Sequence, residues 1–119
     1  MRILVTGSRD WTDVAVIDDA LREAVRGVPA DEVVIVHGDC PTGADAIVDM
    51  LALASGFTVE KYPAQWEVHG KAAGPIRNAK MVEDGADVCL AFPQGVSRGT
   101  RGCIELAKVA GIETLVSEL

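Results

Sequence analysis

The sequence predicts an α/β fold: a three-layer sandwich whose five-stranded parallel sheet runs in the order 3-2-1-4-5, with helices on both faces. Three observations carry that prediction. Five short apolar runs alternate with segments of helical periodicity along the 119 residues. Runs such as Ile3–Val5 and Val33–Val36 are continuous rather than alternating, as parallel strands covered on both faces require. Right-handed crossovers then leave 3-2-1-4-5 as the commonest five-strand solution.

Each element has its own signal. Residues 2–6, 32–37, 57–61, 87–92 and 112–117 read as strands, short and rich in Val, Ile and Leu. After the first, Val14, Ile17, Leu21 and Val25 recur at helical spacing, with Asp13 placed to cap the helix. After the second, Ala44, Ile47, Val48, Leu51 and Ala54 do the same, and Gly56 suits the exit. The third is followed by an irregular connection, 62–74, and then a shorter helix over 75–84 that tolerates Pro75 in its first turn. Cys103, Leu106, Ala107 and Ala110 form the last helix, which Gly111 ends. No repeat or linker interrupts the series, so residues 1–119 are expected to form one domain.

Apolar residues make up 49 % and charged residues 24 %, the balance of a globular protein with a substantial core. Met1 runs straight into a strand pattern without a leader, and no apolar run reaches the roughly 20 residues of a membrane span. The expected location is the cytoplasm, with no membrane partner. Three cysteines, Cys40, Cys89 and Cys103, form no C-x-x-C pair and are expected to stay reduced. The net charge of −7 disfavours a nucleic-acid partner, because phosphate backbones select basic faces. A homo-oligomer is compatible with this composition.

In a 3-2-1-4-5 sheet the chain reverses direction between strands 1 and 4, and ligands bind outside the carboxyl ends at such a point. The loops delivered there are T-G-S-R-D-W, H-G-D-C-P-T-G-A-D and P-Q-G-V-S-R-G-T-R-G, with 62–74 and G-P-I-R-N at the same edge. Five of the eleven basic residues lie in these segments: Arg9, Lys71, Arg77, Arg98 and Arg101. A locally basic cleft in an acidic protein suits a small anion, and helix N-termini after strands 2 and 4 would add oriented N–H groups. Phosphate is the expected anion. Gly95, Ser97, Gly99 and Thr100 would wrap it, the glycines allowing close approach of the backbone.

Other chemistries fit less well. The G-x-x-x-x-G of G-D-C-P-T-G-A-D carries Ala44 and Asp45 where a P-loop needs Lys and Ser/Thr, and T-G-S-R-D-W lacks G-x-G-x-x-G. His37, Cys40 and Asp45 offer no recognisable four-ligand set, so neither metal nor cofactor is expected. His37 is expected to hydrogen-bond at its strand end. Trp66 either stacks on a base or pins the long connection, and Trp11 packs at the entry to the first helix. Arg77, at a helix start, is expected to contribute to affinity rather than stability.

G-S-R-D-W, H-G-D-C-P-T-G-A-D, G-K-A-A-G-P-I-R-N-A-K-M-V and F-P-Q-G-V-S-R-G-T, in that order from about Ile3 to Thr100, resemble the YspA-like (cpYpsA-related) branch of the SLOG superfamily. That superfamily also contains the LOG-type phosphoribohydrolases and the DprA-type DNA-processing proteins. The resemblance implies a Rossmann-like fold and a nucleotide or nucleotide-derived ligand. Carried onto this chain, it marks Gly7, Ser8 and Arg9, then Gly38, Gly43, Ala44 and Asp45. It also marks Arg77 with Asn78, and Pro93 through Gly95 to Gly99 and Thr100. Some relatives of this kind are ligand sensors in conflicts between bacteria and phages.

The LOG-type motif P-G-G-x-G-T-x-x-E places a glutamate three residues after its threonine. Here that position is Cys103, and Glu105 lies about 140° around the helix from Thr100, facing away from the cleft. Binding or sensing of a small phosphorylated nucleotide derivative is therefore the first expectation, with Asp45 and Asn78 hydrogen-bonding ribose or base. The alternative is an N-glycosidic hydrolase using Asp45 as its carboxylate, with Asp10 and Asp39 behind it. A DprA-like nucleic-acid mediator stands third.

Overall fold

The continuous apolar runs become the buried strands of a parallel sheet. The computed structural model describes all 119 residues. In chain order the elements are β1 (Arg2–Gly7), α1 (Val14–Ala24), a 3₁₀ turn at Ala30–Glu32, β2 (Val34–His37), α2 (Gly43–Ala54) and β3 (Thr58–Lys61). There follow α3 (Trp66–His69), a second 3₁₀ turn at Gly70–Ala72, α4 (Ala73–Asp84), β4 (Val88–Phe92), α5 (Arg98–Val109) and β5 (Glu113–Val116). The strand order is β3-β2-β1-β4-β5 and every pairing is parallel, as expected. β1 is central, with Leu4 opposite Val36 on one side and Cys89 on the other.

Side chains alternating along β1 feed two cores. Ile3 and Val5 join Ile17 and Leu21 of α1 and Val48 and Ala52 of α2 on one face. Leu4 joins Val36, Met81 of α4, and Cys103 and Ala107 of α5 on the other. Cys89 and Cys103 are free thiols in this second core, and burial pushes the Cys89 thiol up to about 12. They are inert packing groups. Trp11 is buried edge-on against Phe92, with ring centroids 5.5 Å apart, and its indole N–H donates to the Asp13 carbonyl at 2.8 Å. The Asp13 carboxylate caps α1 by accepting from the Val16 N–H at 3.2 Å.

Two element starts differ from the sequence reading by two residues, and other strand ends by one. Glu32 belongs to a 3₁₀ turn and the strand begins two residues later. The connection expected to be irregular contains a helical turn, α3, closed by Gly70 at φ +56°, and α4 then starts at Ala73 rather than at 75. A single turn holds too few residues to show periodicity. No helix is long and apolar enough to cross a membrane.

Candidate functional site

The carboxyl ends of β1 and β4 open into a cavity of about 640 Å³. Its walls come from residues 5–10, from Gly38, Cys40 and Asp45, from Trp66, from parts of 74–81 and from 94–100. Of the expected site residues, Gly7, Ser8, Arg9, Gly38, Asp45, Trp66, Arg77, Asn78, Gly95, Ser97, Gly99 and Thr100 line it. Gly43, Ala44 and Pro93 do not. Gln94 and Val96 line it as well, although nothing in their residue types marked them, and so does Cys40, which was weighed only as a metal ligand.

Gly43 and Ala44 serve the joint behind the cavity. The Ala44 N–H donates to the Ser8 carbonyl at 3.1 Å, and Thr42 Oγ1 donates to the Arg9 carbonyl at 3.0 Å. Gly43 has φ +70°, and a Cβ there would strike the Ser8 carbonyl and lie 2.6 Å from Arg9 Cα. Gly7 is similarly confined between Ala44 and Phe92. The Ser8 carbonyl thus takes up one of the N–H groups that the N-terminus of α2 was expected to offer to an anion.

The N-terminus of α5 differs. No backbone N–H from Gln94 to Thr100 donates to a carbonyl or side chain of the protein. The segment turns through Gly95 at φ +65° and Ser97 at φ +40°. Gly99 and Gly102 have no positive φ and lie in α5 itself, so the conformational freedom expected of them is needed only at Gly95. Gln94 Oε1 is buried without a hydrogen-bond partner.

The arginines sort by partner. Arg2, Arg22, Arg26 and Arg101 each pair with a carboxylate. Arg9, Arg77 and Arg98, the three that line the cavity, have none within 4.0 Å. Lys71 and Arg101 lie outside it, so three of the five expected basic residues face the cleft. The Arg9 guanidinium carbon sits 5.6 Å from the centre of the Trp66 ring, which fastens α3 to the loop after β1. Trp66 is 49 % exposed.

Arg77 is also a tether. Its Nη1 donates to the carbonyls of Gly38 at 2.5 Å and Tyr62 at 3.3 Å, and its Nε donates to Asn78 Oδ1 at 2.7 Å. The Asn78 amide in turn donates to the Gly99 carbonyl at 3.2 Å. One chain of hydrogen bonds therefore joins the loops after β2 and β3 to the first turn of α5. Arg77 Nη2 makes no protein hydrogen bond. A side chain at Gly38 would occupy the space that the guanidinium fills.

Asp45, in the first turn of α2, is 7 % exposed and lines the cavity. Burial raises its pKa, opposed by the Cys40 N–H, which donates to Oδ2 at 3.2 Å, and by the nearby His37 and Arg77. His37 is buried, and its Nδ1 accepts from the Asp39 N–H at 2.9 Å. The proton therefore sits on Nε2, which donates to Asp49 Oδ1 at 2.9 Å. Both ring nitrogens are engaged, as expected of a strand-end histidine. No three His, Cys, Asp or Glu side chains cluster as a metal site would require.

The raised Asp45 pKa has a measurable consequence. Folding favours its protonated form, so its stabilising contribution is complete below the ordinary carboxylate value and is lost as pH rises through the folded value. Relative to the wild type, Asp45→Asn should therefore gain stability as pH rises through that window. Urea unfolding of both proteins across the acid range measures this, and a pH-independent difference would show that burial does not govern the group.

Residues 1–69 match the family model described as "YspA, cpYpsA-related SLOG family". The chain is 48 % identical over 119 residues to the Gene 61 protein of Mycobacterium phage D29, covering 96 % of this chain and 94 % of that relative. No solved structure matches it. A family model over more than half of the chain and a relative of nearly full length together show that the chain belongs to the YspA, cpYpsA-related SLOG family.

Proposed function

We propose that the chain binds or senses a small phosphorylated, nucleotide-derived ligand in the cavity at the carboxyl edge of the sheet. One observation carries this: three arginines without carboxylate partners surround the same cavity as a run of unmatched backbone N–H groups. Unmatched donors and unpaired positive charge are costly to maintain in a partly enclosed site unless an anion completes them. The 94–100 loop and Arg98 hold phosphate, Arg77 Nη2 reaches a second anionic oxygen, and the Trp66–Arg9 wall accepts the base. Family membership supports a nucleotide-related ligand.

A hydrolase is the second reading, favoured by Asp45, a buried carboxylate with a raised pKa on the cavity wall. Glu105 is exposed and does not line the cavity, so it supplies no second acid there. Titrating the protein with AMP, ADP-ribose and adenosine, while following backbone amide shifts, tests the binding proposal. The phosphorylated compounds should shift the 94–100 amides and bind at least about tenfold more tightly than adenosine, a difference of about 1.4 kcal/mol. Equal binding of adenosine would overturn the proposal, and release of free base from AMP would favour the hydrolase.

A further inference from the structure

We propose that Arg101, which lies outside the cavity, is the positioning residue that turns the N–H groups of the 94–100 loop inward. Its Nη2 donates to the Gly95 carbonyl at 2.7 Å and its Nε to the Val96 carbonyl at 3.0 Å. Every peptide bond is trans, and in a planar trans peptide the N–H points opposite to the C=O. The N–H groups of Val96 and Ser97 therefore face away from the guanidinium. Gly95, Val96 and Ser97 line the cavity while Arg101 does not. One planar cation on the outer side thus fixes two consecutive peptide planes.

The fork is itself held. Arg101 Nη1 pairs with Glu118 at 2.7 Å, and the Arg101 backbone N–H donates to the Ser97 carbonyl at 3.0 Å. Glu118 compensates the charge, so Arg101 adds little net field to the cavity and acts through geometry. Holding the loop matters because Ser97, a non-glycine residue, sits at φ +40°. Without the guanidinium, the two planes can rotate and present carbonyl oxygens to an anion. This role rests on the anion-binding reading above, and it ties residues beyond β5 to the site.

The experiment is an amide-shift titration of the full chain with inorganic phosphate, for the wild type, Arg101→Lys and Arg101→Gln. Both variants should bind phosphate about tenfold more weakly, while amide shifts in β1 and thermal midpoints stay near wild type. Lysine keeps the charge but lacks the planar fork, so its failure to rescue identifies geometry as the cause. Wild-type affinity in Arg101→Lys, or in both variants, would overturn the proposal.

A second measurement needs no ligand. The HN–Hα couplings of Val96 and Ser97 report backbone φ, and they should change in both variants. Unchanged couplings would overturn the positioning role whatever phosphate does. Changed couplings with no phosphate response in the wild type would uphold the positioning role and count against the binding reading alone.

Discussion

Gly43→Ala should destabilise the protein by about 2–5 kcal/mol, the sum of a left-handed backbone penalty and an overpacking penalty. The position has φ +70°, and its would-be Cβ meets backbone atoms of Ser8 and Arg9, which a rotamer change cannot move aside. Relief requires separating the loop after β1 from the start of α2, breaking the Ala44 to Ser8 hydrogen bond. Gly27→Ala is the matched control: φ is +77° there, but nothing lies within 4 Å of the added carbon. It should lose only the backbone term, about 1–2 kcal/mol. Equal losses in urea unfolding would mean that the β1–α2 joint yields and that Gly43 reports conformation alone.

Arg77→Ala should act on two quantities at once. Ligand affinity should fall by about 1.5–3 kcal/mol, the range for hydrogen bonds to a charged group. Stability without ligand should fall by about 1–3 kcal/mol, because the Gly38 and Tyr62 carbonyls lose their donor and Asn78 loses its partner. The second effect revises the sequence-based expectation that Arg77 serves affinity alone. Arg77→Lys should recover little of either, since an ammonium cannot span two carbonyls and an amide oxygen in one plane. Calorimetric titration with ADP-ribose beside thermal unfolding separates the two losses. Unchanged stability would leave Arg77 as a ligand contact and remove the tether.

Much of the fold was legible because its signals are local. Strand runs, the Asp13 cap and the exits at Gly56 and Gly111 each depend on a few neighbouring residues, and the crossover rule orders the strands. The α3 turn was not legible, because Trp66 is placed by its contact with Arg9, far away in sequence. The cavity wall was largely legible, since topology alone brings those loops to one edge. What each side chain does there was not. Arg98 and Arg101 look alike in sequence, yet Glu118 and two carbonyls occupy one of them. Gly43 and Gly99 look alike too, and only the structure separates them, by the positive φ of Gly43 and the backbone crowding it.

The strand order also has a consequence for synthesis on the ribosome. Residues 1–61 contain three adjacent strands together with α1 and α2, and both helices cover the same face. The opposite face, with Leu4 and Val36 at its centre, is covered by Met81, Cys103 and Ala107. At about 5–20 residues per second, several seconds separate the emergence of β3 from that of α5. During that interval the nascent half-sheet shows a bare apolar face, and β1 has an unpaired edge where β4 will dock. Slow translation between codons 62 and 107 should therefore favour aggregation, and α4 becomes the first shield to arrive.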